Sequence, residues 1–157
     1  MAQMIWKLCT IDDYLDDINK LFMENKDHKH SANYLKYPLF KHTQFARMGW
    51  DKNKLVYYSA AASRPEYNGS IRVMTRHTRS RFYNFGSRKD DLDRGTETLD
   101  LLTSKALDLG YKDIWFSREE SNAILKIMNK RSMYDWSINW EHVPATRMSQ
   151  WILRLNY

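Results

Sequence analysis

The stretch from Phe85 to Tyr134 constrains the fold most, because it alternates strand-like and helix-like patterning. Phe82 to Phe85 reads as a short strand. Ser87-Arg88-Lys89-Asp90-Asp91-Leu92-Asp93-Arg94-Gly95 reads as a polar loop, closed by its glycine where a helical pattern opens. Leu99, Leu102, Ala106 and Leu109 then recur at spacings of three, four and three, the apolar stripe of a helix. Gly110-Tyr111 stops that helix. Ile114-Trp115-Phe116 is a compact apolar strand. Ser117 and Glu120, three residues apart, have capping-box spacing and start a second helix. A loop feeding a helix N-terminus beside parallel strands offers free backbone N–H groups to an anion, so the segment suggests a phosphate-bearing ligand.

The flanking sequence adds hairpins. Residues 4–9 read as a strand, and Thr10 as the N-cap of a helix whose face carries Ile11, Tyr14, Leu15, Ile18, Leu21 and Phe22. Asp12 and Asp13 fall in its first turn, where the helix dipole favours acids. A polar loop over 24–31 leads to a less regular helical segment over 31–48, interrupted at Pro38. Leu55-Val56-Tyr57-Tyr58 is strand-like, Asn68-Gly69 is a hairpin turn, and Ile71 to Thr78 is the return strand, with Phe82–Phe85 as a third, adjacent one. Ser137–His142 and Gln150–Leu155 complete the set. The pattern predicts one α/β domain over residues 1–157, with antiparallel hairpins flanking a helix-crossed parallel centre.

With 157 residues, 43% of them hydrophobic, the chain has enough apolar material for one core. Six Trp, ten Tyr and six Phe make that core aromatic. The net charge of +6 favours anionic partners: a phosphorylated cofactor, nucleic acid or an acidic surface. The single cysteine, Cys9, excludes an intramolecular disulfide and reads as a buried thiol. No secretion-signal pattern and no membrane-length apolar run is present, so a soluble, cytoplasmic protein without membrane contact is expected. His28, His30 and His42 are too scattered for a zinc site, and no GxxxxGK[ST] loop or GxSxG elbow occurs.

The order strand, one or two helices, three antiparallel strands, helix, strand, helix, two strands resembles the GNAT superfamily of acyl-CoA N-acyltransferases. The family's loop pattern is arginine or glutamine, any two, glycine, any, glycine or alanine. Counted from Phe85 it falls on Asp90, Asp93 and Gly95, of which the glycine matches. In the family's later segment the asparagine is Asn122, and the terminal aromatic is Tyr134, preceded by Met133. The usual proton-donating tyrosine position is Asn129. The resemblance implies a mixed sheet with antiparallel hairpins, a central splayed parallel pair and flanking helices. It also implies acetyl-CoA or coenzyme A as cofactor and a small-molecule or peptide amine as acceptor. The cofactor set it implies is Phe85, Ser87, Arg88, Lys89, Asp93, Arg94, Gly95, Thr96 and Asn122, with N–H groups from Asp93 to Thr98 meeting the pyrophosphate. The general base is left open among Glu66, His77 and a water chain.

A rival reading keeps the fold without catalysis. Arg72, Arg76, His77, Arg79 and Arg81 with Phe82 and Tyr83 form a basic hairpin with aromatics, which would make the chain a binding module for nucleic acid or a protein partner. Four arginines on a short hairpin give few simultaneous phosphate contacts, so nucleic acid is the less expected partner. Nothing in the sequence sets the oligomeric state.

Overall fold

A computed structural model describes residues 4–25, 43–63, 70–118, 121–143 and 148–156. The chain divides into two compact units. Met1–Ser63 with Thr75–Phe85 forms one, and Arg64–Met74 with Gly86–Tyr157 the other. Among the described residues seven strands, β1 (Ile5–Cys9), β2 (Thr43–Asp51), β3 (Lys54–Ser63), β4 (Ile71–Arg79), β5 (Ile114–Arg118), β6 (Trp136–Val143) and β7 (Met148–Leu155), follow the order β1-β2-β3-β4-β5-β7-β6, and β4 belongs in part to each unit.

In the first unit β1 (Ile5–Cys9) runs antiparallel to β2 (Thr43–Asp51), with Ile5 opposite Trp50 and Cys9 opposite Ala46. β2 turns at Lys52, whose φ of 56° is the left-handed conformation a tight turn requires, into antiparallel β3 (Lys54–Ser63). These two strands are buried at nearly every position, as strands covered on both faces must be. Even Arg47 is buried, its guanidinium 4.2 Å from the centre of the Trp6 ring. The helical face expected after Thr10 begins later, as a 3-10 turn (Asp12–Tyr14) leading into α1 (Leu15–Glu24), with no side-chain cap at either start. Ile18, Leu21 and Phe22 are its buried face and join Ala46, Met48, Tyr58 and Ala60 in one cluster. Phe22 meets Tyr58 edge to face at 5.7 Å. Full burial of each such side chain stabilises by roughly 1.5–3 kcal/mol. The helix expected over 31–48 is overturned from Thr43 onward by β2, which pairs with β1 on one side and β3 on the other. Its earlier part, with the turn at Asn68-Gly69, lies outside the described residues.

In the second unit Ile71, Arg72 and Val73 of β4 pair in parallel with Ile114, Trp115 and Phe116 of β5 (Ile114–Arg118). β5 pairs antiparallel with β7 (Met148–Leu155), and β7 with β6 (Trp136–Val143). The architecture is therefore a mixed sheet, hairpins around a central parallel pair, flanked by helices. The connection from β4 to β5 carries α2 (Arg88–Asp108), and the one from β5 to β6 carries α3 (Asn122–Arg131). Leu99, Leu102 and Ala106 of α2 and Leu125 and Met128 of α3 are buried, and the two helices touch.

Three boundaries differ from the sequence reading. Phe82–Phe85 is irregular chain, not a strand; the parallel partner of β5 is β4 itself. α2 begins at Arg88, not after Gly95. Ser117 caps nothing: it lies in β5, buried, with its hydroxyl bonded to Gln150, and the N-cap of α3 is Ser121, which accepts from the Ile124 N–H at 3.5 Å.

Candidate cofactor site

The capping box is real but stands at the other helix. Ser87 Oγ accepts from the Asp90 N–H at 3.2 Å, and an Asp90 carboxylate oxygen accepts from the Ser87 N–H at 2.9 Å. Reciprocal bonds of this kind satisfy two donors that a helix start leaves orphaned. Asp91 N–H adds a bond to the Ser87 carbonyl at 3.0 Å. Asp90 and Asp91 thus lie in a first turn, where acids favour the dipole, which explains the clustering of acids here. The bond from the Ser87 backbone, then that from its hydroxyl, holds the Asp90 carboxyl below its ordinary value.

Gly86 precedes this turn at φ 92°, a conformation open to glycine. A Cβ there would lie 2.5 Å from an Asp90 carboxylate oxygen. The N–H groups of Arg88 and Lys89, first and second in α2, have no acceptor within the helix, and both side chains are exposed. This end of α2 gathers two outward N–H groups, the positive end of the dipole and two cations. The donor set fits a phosphate, with the first-turn carboxylates of Asp90 and Asp91 as opposing charges.

Of the residues the resemblance implied, Ser87, Arg88 and Lys89 stand at this helix start. Asp93, Arg94, Gly95 and Thr96 do not; they lie one to two turns inside α2, where backbone N–H groups are spent on the helix ladder. Asp93 pairs with Arg131 of α3 at 2.9 Å, and Arg94 with Asp91 at 3.4 Å. Thr96 is buried and donates its hydroxyl to the Leu92 carbonyl at 2.8 Å. Gly95 needs no special conformation, and a Cβ there would come no nearer to a neighbour than 3.8 Å, from Met128 Cε. The expectation that N–H groups from Asp93 to Thr98 meet a pyrophosphate is overturned for this reason. Asn122 opens α3, and its Oδ1 is buried with no donor among the described residues.

Phe85 lies in the first unit, its ring 4.7 Å from that of Tyr83 and 6.2 Å from that of Tyr57. His77 meets Tyr57 edge to face at 5.0 Å with Nδ1 buried, and Glu66 lies outside the described residues. The side chains of Arg72 and Arg76 also lie outside them, whereas Arg79 sits 5.8 Å from the Phe85 ring and Arg81 4.8 Å from Phe82. Asn129, at the family's tyrosine position, clamps the start of β6: its Nδ2 donates to the Trp136 carbonyl at 2.8 Å and its Oδ1 accepts from the Trp136 N–H at 3.1 Å. The Tyr134 hydroxyl shares a 2.7 Å hydrogen bond with Ser104 of α2. Gly86 is the residue that sequence reasoning missed. Its signal was present, a glycine just before a serine and an aspartate three apart, which is an N-terminal signature.

No protein-family model matches the sequence, and no curated protein matches it. Solved structures do match, along nearly the whole chain. An N-acetyltransferase from Staphylococcus aureus Mu50 superposes with a TM-score of 0.57 at 10% identity, covering 98% of this chain and 97% of that one. An aminoglycoside 6'-acetyltransferase type Ii gives 0.60 at 13% identity, covering 96% and 95%. An acetyltransferase of the GNAT family from Bacillus cereus ATCC 10987 gives 0.51 at 13%, covering 98% and 96%. The chain therefore has the GNAT fold.

Proposed function

We propose that the chain is an acyl-CoA N-acyltransferase that moves an acetyl group from acetyl-CoA to the amine of a small molecule or peptide. The observation that carries this reading is the start of α2, where Gly86, the free N–H groups of Arg88 and Lys89 and the two cationic side chains suit a pyrophosphate. With α2 starting at Arg88, the family's loop pattern moves to Arg81-Phe82-Tyr83-Asn84-Phe85-Gly86. It then matches at Arg81 and Gly86, with Asn84 at the first glycine position. That register is more consistent than one inside a helix, and it supports a phosphate end of the cofactor at Gly86–Lys89. The fold neighbours named above as acetyltransferases support the same class.

The bound cofactor would supply an activated thioester. The chain's own task is to hold it, to orient the acceptor amine and to take up its proton. His77 is the general-base candidate among the described residues. Asn129, at the family's tyrosine position, is bonded to backbone and carries no acidic proton, so solvent suits the role of donor to a departing thiol.

Calorimetric titration with coenzyme A and acetyl-CoA tests the cofactor, and thiol release with a panel of amines tests transfer. Binding that weakens in Arg88→Glu and Lys89→Glu is expected. No binding at millimolar coenzyme A ends the enzyme reading. The binding-module reading has its own support in Phe82, 70% exposed and flanked by Arg81 and by Lys54 Nζ at 5.6 Å. Binding of single-stranded oligonucleotide in the absence of any coenzyme A affinity would promote it.

A further inference from the structure

We infer that Ser117 and Gln150 form the pair that reads the acceptor, and that they select an amine carrying an uncharged hydrogen-bonding oxygen, a hydroxyl or an amide carbonyl, beside its nitrogen. Their role rests on the acyltransferase reading. The two side chains meet on one face of the sheet. Ser117 of β5 is opposite Ile152 of β7, and Gln150, two residues before Ile152, is opposite Glu141 of β6. Residues two apart on a strand share a face, so Ser117, Ile152, Gln150 and Glu141 line one side. Phe116, Leu153, Leu155 and Trp136 line the other by the same register. That other side is the one α3 covers, since Trp136 Nε1 donates to Oγ of Ser132, the C-cap of α3, at 3.1 Å.

The pair stands where a ligand of such a sheet belongs. In open α/β sheets ligands lie outside the carboxyl ends of the parallel strands. β4 and β5 pair in parallel from Ile71 and Ile114 to Val73 and Phe116, and Ser117 is the next residue of β5. α2 ends at Asp108 and the chain enters β5 at Ile114, so α2 runs back along the sheet and its start at Arg88 points to the same carboxyl end. The phosphate donors and the polar pair therefore belong to one end of the sheet.

Burial sets the pair apart from an ordinary polar surface. Gln150 is 6% exposed and Ser117 8%, on a face where Ile152 is 1% exposed. Leucine and alanine would hold the strands together without desolvating a carboxamide and a hydroxyl. The Ser117 hydroxyl donates to Gln150 Oε1, which spends its one proton. Neither side chain makes a further bond among the described residues, so the two N–H groups of Gln150 Nε2 and the lone pairs of Ser117 Oγ remain for a ligand. Together they match a hydroxyl or an amide, each of which accepts and donates. Glu141, opposite Gln150, already pairs with Arg154, so its charge is answered and a neutral group is favoured. A buried pair of this kind rejects an analogue that lacks the oxygen, because its own polar groups are then left unpaired.

Thiol release from acetyl-CoA with matched amines tests this, glycinamide against isobutylamine and ethanolamine against propylamine. The chain should prefer the oxygen-bearing member of each pair in kcat/KM, and Gln150→Leu should lower that preference at least about tenfold, through KM. Ser117→Ala should lower it too, and Ser117→Thr, which keeps the hydroxyl, should restore it. If Gln150→Leu does not fold, Ser117→Ala and Ser117→Thr decide. A pair that merely holds β5 to β7 would shift the thermal midpoint and leave the preference unchanged. That outcome overturns the inference and leaves the acyltransferase reading intact, as does a parent chain that transfers without the preference. No release with any amine, together with no coenzyme A binding in calorimetry, takes down the acyltransferase reading and the inference with it.

Discussion

At Asp90 one carboxylate closes the first turn of α2 and also opposes any anion that would settle there. Asn in its place keeps an oxygen for the Ser87 N–H and deletes the charge. Asp90→Asn should therefore bind coenzyme A more tightly than the parent in calorimetry; weaker binding would move the phosphate site elsewhere. The acid behaviour carries its own sign. A carboxyl held below 3.8 in the folded chain adds stability that is present above 3.8 and lost as pH falls through the lower folded value. Urea titrations at stepped acidic pH should show this loss in the parent and a smaller one in Asp90→Asn. At Gly95 two substitutions separate a helix interior from a phosphate loop. Gly95→Ala should raise stability by up to about 1 kcal/mol, since a methyl has room below Met128 and alanine favours helix. Gly95→Pro should cost about 3 kcal/mol or more by breaking the ladder. A neutral proline substitution in chemical denaturation would contradict the helix assigned here.

α2 shows why some elements were legible in the sequence and others were not. Its end was plain: Gly110 adopts φ 89°, Gly110 N–H bonds the Leu107 carbonyl at 3.0 Å, and Tyr111 N–H bonds that of Ala106 at 3.1 Å, a Schellman ending. Its beginning was hidden because threonine replaces leucine on the inner face. Thr96, Thr98 and Thr103 are buried, and Thr103 returns its hydroxyl to the Leu99 carbonyl at 2.7 Å as Thr96 does to Leu92. A count of apolar residues alone misses such a stripe, and three aspartates beside it resemble a loop. The strands were legible wherever aromatic and β-branched residues cluster, as at Leu55–Tyr58 and in β5, β6 and β7. Thr43–Trp50 was not, because its alanine, methionine and arginine carry no strand signature. The backbone donors counted from Asp93 onward were misplaced together with the helix start on which they were counted. The α2–α3 junction was equally invisible, since it rests on long-range polar bonds. Asp100 accepts from Ser132 Oγ at 2.5 Å and from the Met133 N–H at 3.0 Å. Asp100→Ala should cost about 2 kcal/mol in thermal or urea unfolding, because two bonds to one charge are lost together.

Across the whole molecule the positive charge sets an expectation that salt can test. Nucleic-acid affinity built on phosphate contacts falls steeply with added salt. Fluorescence anisotropy with a single-stranded oligonucleotide should show weak binding even at low ionic strength, since Arg79 and Arg81 lie against Phe85 and Phe82 rather than in an array. Tight, salt-sensitive binding would favour the non-catalytic reading. Among the described residues no helix is long and apolar enough to cross a membrane. The pairing of Trp140 with Trp151, ring centres 5.1 Å apart and planes at 66°, has an optical consequence. Two indoles so close and so steeply inclined share their electronic excitation, and the shared transition splits into bands of opposite sign in circular dichroism. Trp151→Phe should abolish that couplet and leave the helical bands in place. The C-terminal hairpin thus carries its own spectroscopic label, and its melting can be read apart from that of α1, β1, β2 and β3.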